Sequence, residues 1–211
     1  MPVLNNALSG DRAGTKDKPA LLVSYVYLKP FLANRDTYQY RDWVMDSGAF
    51  SAWNAGKVIH LQDYIDTCKR LLATDPTLVE VYALDVIGDP VASLKNCEEM
   101  WRQGVEAIPC FHVGEPWHML KSMARDYPKI ALGGMVGRGA KEKDAFIAGS
   151  FGLIWPKQVH GFGLCNEKLL CMESRGVQAV GTDTSTSALR GILRRDSDAR
   201  REFHTLIGLS S

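Results

Sequence analysis

The sequence predicts an α/β protein with a parallel sheet, and three observations support this prediction. The chain has 211 residues, of which 45% are hydrophobic and 23% charged, a composition typical of a globular domain with a sizeable core. Short apolar runs alternate with segments of helical periodicity along most of the chain. No internal repeat or low-complexity linker divides it. We therefore expect a single domain over residues 20–211, preceded by a flexible polar leader at residues 1–19.

Seven apolar segments are predicted as strands. Each is short, rich in β-branched or aromatic residues and bounded by polar residues or glycine. The predicted strands are Ala20–Leu28, Trp43–Asp46, Val79–Asp85, Val105–Val113, Lys129–Gly133, Gln158–Gly163 and Val177–Asp183.

The segments between these strands are predicted as helices. In Leu61–Ala73 the apolar residues recur at helical spacing, so one face should pack on the sheet. A second apolar stripe over residues 91–101 ends before Gly104, a residue suited to the left-handed position after a helix. Further helices are predicted at Trp117–Arg125, Lys141–Ala148, Asn166–Ser174 and Ser187–Arg195. This strand–helix order either closes as a (β/α)8 barrel or stays open and doubly wound.

Composition and local patterns exclude several classes of function. The net charge of +1 excludes a globally basic nucleic-acid binder, although it allows a local basic patch. The glycines at 133–139 lack the spacing of the GxGxxG and GxxxxGK(S/T) nucleotide loops. Apolar runs are far shorter than the ~18 residues that span a bilayer, and residues 1–19 lack a signal-peptide pattern. We expect a cytoplasmic protein without a membrane partner.

The cysteines predict neither a disulfide framework nor a zinc site. Their number is odd, and no CxxC pair occurs among them. The five residues are Cys68, Cys97, Cys110, Cys165 and Cys171. We expect reduced thiols and no stoichiometric zinc, because the spacing of a zinc-ligand set is missing.

Acidic residues end three of the predicted strands: Asp46, Asp85 and Asp183. In a barrel the carboxyl ends of the strands converge on the face where barrel enzymes assemble their active sites, so three carboxylates would share one cleft. Each aspartate taken alone could equally well cap the helix that follows it.

Two histidines and two glycines stand near the same strand ends. His112 and His160 lie among apolar or glycine neighbours, where a histidine is more often a hydrogen-bonded core residue than a catalytic one. Gly133 and Gly134 would let a flat ligand approach the backbone, or would serve only turn geometry.

Five motifs in order resemble those of the tRNA-guanine transglycosylases. The hexapeptide DSGAFS at 46–51 resembles the DSGG(F/Y)Q motif of that family, and the later motifs lie at 83–85, 111–114, 131–135 and 181–183. The likeness is closest to the short phage and genomic-island branch that inserts 7-deazaguanines into DNA, whose members share LDVIGDP, FHVGE and HGFGL and carry a DST motif near the place of Asp183-Thr184-Ser185 in this chain. This resemblance implies a small (β/α)8 TIM-type barrel, complete or incomplete.

The resemblance also implies roles for individual residues. Asp183 is expected to be the nucleophile that attacks the sugar, Asp46 the general acid and base, and Asp85 the group that binds the N1–H and amine of guanine. The tRNA enzymes have Gln at the position of His112, so the role of this histidine stays open. The other expected base-binding residues are His112, Gly133, Gly134, Ser47, Phe50 and His160. The expected phosphate contacts are Arg190, Arg194 and Arg195, for which a solvated helix face is the alternative.

The expected partners are DNA, which is favoured over tRNA, and a 7-deazaguanine base such as preQ0. No cofactor is expected. The tRNA enzymes carry a Cys-rich zinc subdomain after the catalytic Asp, whereas 28 residues follow Asp183 here and none is Cys. If the chain is phage-encoded, we expect it in the cytoplasm of the bacterial host. The oligomeric state is left open.

Four alternatives remain from the sequence. Two use the same site residues: a tRNA-directed enzyme, and an N-glycosylase that releases the base to water. A third is a nucleic-acid-binding module without catalysis. The last is an unrelated barrel enzyme that holds a phosphorylated small molecule through residues 184–187.

Overall fold

The computed structural model describes residues 3–5, 20–163 and 180–182, with side chains described within 20–163. The strands in this part of the chain are β1 (Val3–Asn5), β2 (Ala20–Ser24), β3 (Trp43–Asp46), β4 (Leu78–Val81), β5 (Cys110–His112), β6 (Lys129–Gly133), β7 (Gln158–Gly161) and β8 (Val180–Thr182). The α-helices are α1 (Leu28–Asn34), α2 (Ala49–Asn54), α3 (Leu61–Thr74), α4 (Pro90–Arg102), α5 (Trp117–Asp126) and α6 (Ala140–Ile154). The protein is therefore α/β, as predicted.

The strands form two small sheets, ordered β1-β2-β3-β4 and β5-β6-β7-β8. All pairs are parallel except β1 with β2. A parallel bridge between Tyr82 and Ile108 joins the sheets, and the amide of Ala83 donates to the carbonyl of Ile108 over 2.9 Å. From β2 to β8 each strand thus neighbours the next one in sequence. Among the strands described, β1 pairs only with β2 and β8 only with β7, so the sheets do not close into a ring.

The two faces of the strands bury different side chains because successive residues point to opposite sides. One face packs with the helices in a large apolar cluster that includes Val23, Trp43 and Met45. The other face forms a smaller cluster of Leu22, Val44, Tyr82, Ile108, Cys110 and Ala131. The same face continues two residues further along each of three strands. It carries Asp46 after Val44, His112 after Cys110 and Gly133 after Ala131. Strand alternation therefore brings these three positions to one side of the sheet.

Most of the predicted elements are present. The strands Trp43–Asp46 and Lys129–Gly133 have the predicted bounds, and α3, α4 and α5 differ from the predicted segments by a few residues at most. Helix α4 begins with Pro90 after Asp89, whose carboxylate accepts a 2.9 Å hydrogen bond from the amide of Ala92. Helix α6 extends well beyond the predicted Lys141–Ala148.

Three of the strands predicted within residues 20–113 are shorter in the structure by three residues or more. The run Ala20–Leu28 is strand only to Ser24, and residues 25–27 form a 3-10 turn that leads into α1. Leu28 and Phe31 are buried three residues apart, which is helical spacing. The prediction Val105–Val113 shortens to β5, after Pro109, which has no amide to donate to the sheet. The prediction Val79–Asp85 shortens to β4 followed by the single bridge at Tyr82.

The remaining differences lie at the edges of the described chain. Strand β7 ends at Gly161, before Gly163 with its φ of 68°, and not at the predicted Gly163. Residues Val3–Asn5, inside the leader predicted as flexible, pair antiparallel with β2. The predicted helices Asn166–Ser174 and Ser187–Arg195 lie outside the described residues. In the part of the chain described, no helix is long and apolar enough to cross a membrane.

Candidate active site

Asp46 is held at the carboxyl end of β3 by a tight turn. Its Oδ2 accepts a 3.1 Å hydrogen bond from the amide of Gly48, and in the sheet register it lies beside Ser24 at the end of β2. Gly48 has φ of 72°, and a Cβ there would lie 2.5 Å from Ser24 Oγ, so only glycine fits. The buried Ser24 Oγ has no hydrogen-bond partner within the described residues. The DSG part of the motif thus fixes the carboxylate of Asp46 beside an unsatisfied hydroxyl.

Asp85 lies on the same side of the molecule as Asp46. Both carboxylates act on Tyr64, a fully buried residue of α3 whose hydroxyl donates to the carbonyl of Tyr82 over 2.8 Å. Burial raises the pKa of Tyr64, and the charges of Cys68, Asp46 and Asp85 raise it further. Asp46 ends β3 and Asp85 follows β4, its parallel neighbour, so both residues lie at the carboxyl edge of the first sheet.

His112 stands between two carboxylates. Its Nε2 lies 3.4 Å from Asp85 Oδ2, and its Nδ1 lies 2.9 Å from Glu115 Oε1. The exposed fractions of the side chains are 27% for His112, 16% for Asp85 and 12% for Glu115, so the group is largely shielded yet open on one side. Glu115 Oε2 is buried and has no hydrogen-bond partner within residues 20–163.

Gly133 makes room for this histidine. It lies beside His112 in the register of β5 and β6, and a Cβ on Gly133 would come within 2.8 Å of both Cys110 Sγ and His112 Cδ2. Any side chain at 133 would therefore displace the imidazole or the thiol. Gly134, at φ of 74°, continues the same turn, and its carbonyl accepts a 2.8 Å hydrogen bond from Arg138 Nε.

The electrostatics of the group favour a charged imidazole. The charge of the Cys110 sulfur raises the pKa of His112, burial opposes this effect, and hydrogen bonds with Asp85, Cys110 and Glu115 raise it again. Burial raises the pKa of Cys110 to about 11, so the sulfur is charged only in alkaline solution. The hydrogen bonds of His112 with Asp85 and Glu115 are therefore the interactions that favour the imidazolium in neutral solution.

The other predicted base-binding residues lie in different surroundings. His160 is fully buried, with its ring 5.1 Å from that of Tyr82 and 4.8 Å from that of Phe162. Burial and then the charge of Lys129 lower the pKa of His160 to about 3, so its imidazole is neutral. This placement matches the core histidine that its sequence context also allowed.

Ser47 and Phe50 follow Asp46 and differ in exposure. Ser47 is buried, and its Oγ lies 3.5 Å from the amide of Ala49 at the start of α2. Phe50 is 57% exposed and lies roughly parallel to the exposed ring of Trp53, with 6.2 Å between ring centroids. Of these two residues, only Phe50 presents a surface to a ligand.

Sequence reasoning overlooked Glu115 and the part played by Cys110. Glu115 stands in the FHVGE motif, and its spacing of three residues from His112 was the available signal. One potential ligand atom each from Asp85, Cys110 and His112 lie within 4.8 Å of one another, so these residues could share a metal ion. The predicted nucleophile Asp183 and the arginines Arg190, Arg194 and Arg195 lie outside the described residues.

Comparison with known proteins gives only short matches. GTP cyclohydrolase 1 of Campylobacter curvus is 53% identical over 38 residues, which is 18% of this chain and 20% of that enzyme. The enzyme of Caldanaerobacter subterraneus is 58% identical over 38 residues, and that of Streptococcus sanguinis 33% identical over 63 residues. The chain thus matches between a fifth and a third of the length of these relatives. No family model and no solved structure matches the chain.

Proposed function

We propose that this chain is a guanine transglycosylase that exchanges a guanine in DNA for a 7-deazaguanine base such as preQ0. One observation carries the proposal: Asp46 ends β3, and Asp85, which follows the neighbouring β4, lies 3.4 Å from His112 at the end of β5, each within a motif that resembles that family. In α/β folds the carboxyl edge of the parallel strands is where ligands bind.

We further propose that the strands belong to a (β/α)8-type barrel. The order from β2 to β8 follows the sequence without a reversal, and the bridge between Tyr82 and Ile108 carries the hydrogen bonding from one sheet to the other. A doubly wound sheet would instead reverse its strand order at a switch point. The inner cluster around Val44, Cys110 and Ala131 would then be the barrel interior.

Asp85 and His112 have complementary chemistry for the edge of guanine. The base presents N1–H and an amine as donors beside O6, an acceptor. A carboxylate of Asp85 accepts from the donors, and the neighbouring Nε2–H of His112 donates to O6. The 3.4 Å separation of these two groups leaves acceptor and donor side by side, as the base edge requires. 7-Deazaguanine has the same edge, so one pocket accommodates both bases.

The exchange would proceed by two displacements at the sugar carbon. The carboxylate of Asp183 forms a bond to C1′ while the bond from C1′ to N9 of guanine breaks, and Asp46 supplies a proton to the departing base. The incoming 7-deazaguanine then loses a proton to Asp46, attacks C1′ from the original face and releases Asp183. The configuration is retained, as in retaining glycosidases. We propose that these two carboxylates act without a cofactor.

The target nucleotide must leave the stack to reach this edge. Flipping a base costs a few kcal/mol, part of which stacking on aromatic side chains can offset. The exposed pair Phe50 and Trp53 on α2, directly after the Asp46 turn, is suited to that contact. Arg190, Arg194 and Arg195 would hold the flanking phosphates.

The deciding experiment offers labelled preQ0 to the full chain with DNA in one reaction and tRNA in another. Label in DNA is the expected result. Label in tRNA alone would assign the tRNA-directed alternative, and release of free guanine without label would assign the N-glycosylase. Binding of DNA with neither product would leave a non-catalytic module. The matched control is Asp46→Asn, which keeps the shape of the turn and should not exchange.

A second candidate function is action on GTP, which the stretches shared with GTP cyclohydrolase 1 favour. Incubating the chain with GTP and following its disappearance tests it directly. Turnover of GTP without label in any polymer would support this candidate over base exchange.

A further inference from the structure

We infer that Asp85, Cys110 and His112 form a binding site for a zinc-type divalent ion at the carboxyl edge of the strands. The site is distinct from the Cys-rich structural zinc of the tRNA enzymes, because its ligands come from the segment after β4 and from one face of β5. It offers one oxygen, one sulfur and one nitrogen, all within 4.8 Å of one another.

The distances within the group match those between ligands of one ion. The 3.4 Å between His112 Nε2 and Asp85 Oδ2 is long for a charge-assisted hydrogen bond, which is normally about 2.7–2.9 Å. Two ligands bound tetrahedrally at about 2.0–2.1 Å from Zn²⁺ lie about 3.3 Å apart. The separation of these two atoms is thus also compatible with two ligands of one ion.

The surroundings hold the ligands in place. Cys110 and His112 lie two residues apart on the same face of a strand, and Gly133 opposite them leaves the space that a Cβ would fill. Glu115 accepts a 2.9 Å hydrogen bond from the Nδ1–H of His112, which directs Nε2 toward Asp85. A carboxylate that orients a ligating histidine in this way is typical of metal sites in proteins.

The chemistry of the donors selects the ion. Thiolate and imidazole favour Zn²⁺ or Co²⁺ over Mg²⁺ and Ca²⁺, which prefer oxygen ligands. Binding displaces the proton of the Cys110 thiol and the proton on His112 Nε2, since the metal takes both lone pairs. Three protein ligands leave a fourth position open to water.

This ion would occupy the groups that the proposed base exchange assigns to guanine. Asp85 and the Nε2 of His112 cannot bind a metal and a base edge at once. We therefore expect Zn²⁺ to inhibit base exchange in competition with the incoming base. The metal site itself does not rest on the proposed function.

Cobalt titration of the full chain, stripped with a chelator, tests the site without any activity assay. We expect about one Co²⁺ per chain with a thiolate-to-cobalt absorption band. Cys110→Ala should lose the band, whereas Cys68→Ala, which removes an equally buried thiol from α3, should keep it. Glu115→Gln should weaken cobalt binding by roughly 10- to 100-fold with the band retained, and circular dichroism verifies the fold of each variant.

Two results would overturn the inference. A wild-type chain that takes up no cobalt excludes the site, and a band that persists in Cys110→Ala assigns the thiolate to another cysteine. In the labelling assay, loss of exchange on adding a chelator would overturn the competition between metal and base. Cobalt binding together with no label in any polymer would leave the metal site standing and reject the proposed base exchange.

Discussion

Acidic residues at the two ends of the parallel strands have different hydrogen-bond and ion-pair partners. Before β4, Asp75 accepts hydrogen bonds from Arg35 over 2.5 Å and from the indole of Trp43 over 3.2 Å. Within β4, both carboxylate oxygens of Glu80 lie 2.7 Å from Nζ of Lys129, the residue that begins β6 at the amino end of the sheet. At the carboxyl end, Asp85 and Glu115 share one imidazole, and no Lys or Arg pairs with either within residues 20–163.

This difference suggests that acidic residues at the amino end stabilise the fold, whereas those at the carboxyl end are available to bind a ligand. The carboxylates of Asp75 and Glu80 are paired with cations, and Asp75 also links the start of β3 to the start of β4 through Trp43. The carboxyl end keeps an excess of acceptors, including Glu115 Oε2, that folding alone leaves unsatisfied. A buried acceptor without a partner costs free energy that a ligand could recover, which supports the proposal that a ligand binds at the carboxyl end.

The largest expected effect is the loss of base exchange in Asp183→Asn. The amide keeps the shape of the carboxylate but cannot act as a nucleophile, so exchange should fall by roughly a thousandfold or more. The rate of label incorporation from preQ0 measures it, with DNA binding and thermal unfolding as controls. Near-normal turnover would remove Asp183 from the mechanism.

Next in size is the loss of stability in Asp75→Ala, at the amino end. The indole N–H of Trp43 and the Thr77 hydroxyl would lose a buried acceptor, which should cost on the order of 3 kcal/mol. Arg35 is 37% exposed and should contribute little to this figure. Urea denaturation measures the change, and base affinity should stay unaltered. A free energy of unfolding close to that of the wild type would contradict the stabilising role of Asp75 at the amino end of the strands.

The stability that Asp75 contributes to the fold should also depend on pH. Burial opposes the charged form of Asp75, but hydrogen bonds from Thr77 and Trp43 and the charge of Arg35 outweigh it, so its pKa is lowered. A lowered pKa in the folded state gives stability that is present above the unfolded value of about 3.9 and is lost as pH falls below it. The difference in unfolding free energy between wild type and Asp75→Ala should therefore shrink in acid.

A smaller effect is expected for Asp85→Ala at the carboxyl end. The donors of a bound guanine would lose their acceptor, at a cost of about 1–3 kcal/mol, or roughly 5- to 150-fold in affinity. Calorimetric titration with the free base measures it. Glu80→Ala is the matched control, because it removes an acidic residue at the other end and should lower stability without changing base affinity. Equal base affinities in the two variants would make Asp85 a structural residue.

The smallest expected effect concerns the arginines. Neutralising Arg194 and Arg195 together should weaken DNA binding equally on all sequences and reduce the salt dependence by roughly one unit of slope for each phosphate that the variant no longer neutralises. Filter binding over a range of salt concentrations measures the slope, and selectivity for guanine should be untouched. An unchanged slope would make this cluster a solvated helix face.

The sequence by itself determined the elements whose signal is local. The periodicity of Leu61–Thr74 and the bounds of β3 and β6 follow from which residues are apolar and how often they recur. Helix α1 was not predicted: the apolar run Ala20–Leu28 was assigned to a strand up to the first residue of this helix, and a short apolar run fits a strand or a helix equally well. The acidic strand ends Asp46, Asp85 and Asp183 were visible as well, because each is the last residue of a run predicted as a strand.

Only the tertiary structure decided which side chains meet. Asp85 and His112 are 27 residues apart in sequence, and their contact exists because the bridge between Tyr82 and Ile108 brings the start of β5 beside the end of β4. The tertiary structure also shows that Gly133 leaves room for the ring of His112, since a Cβ at 133 would lie 2.8 Å from His112 Cδ2. His160 lies in the core, and Glu115 contacts His112 at the candidate site. Neither position could be predicted, because burial depends on the order of the strands, which no local sequence pattern encodes.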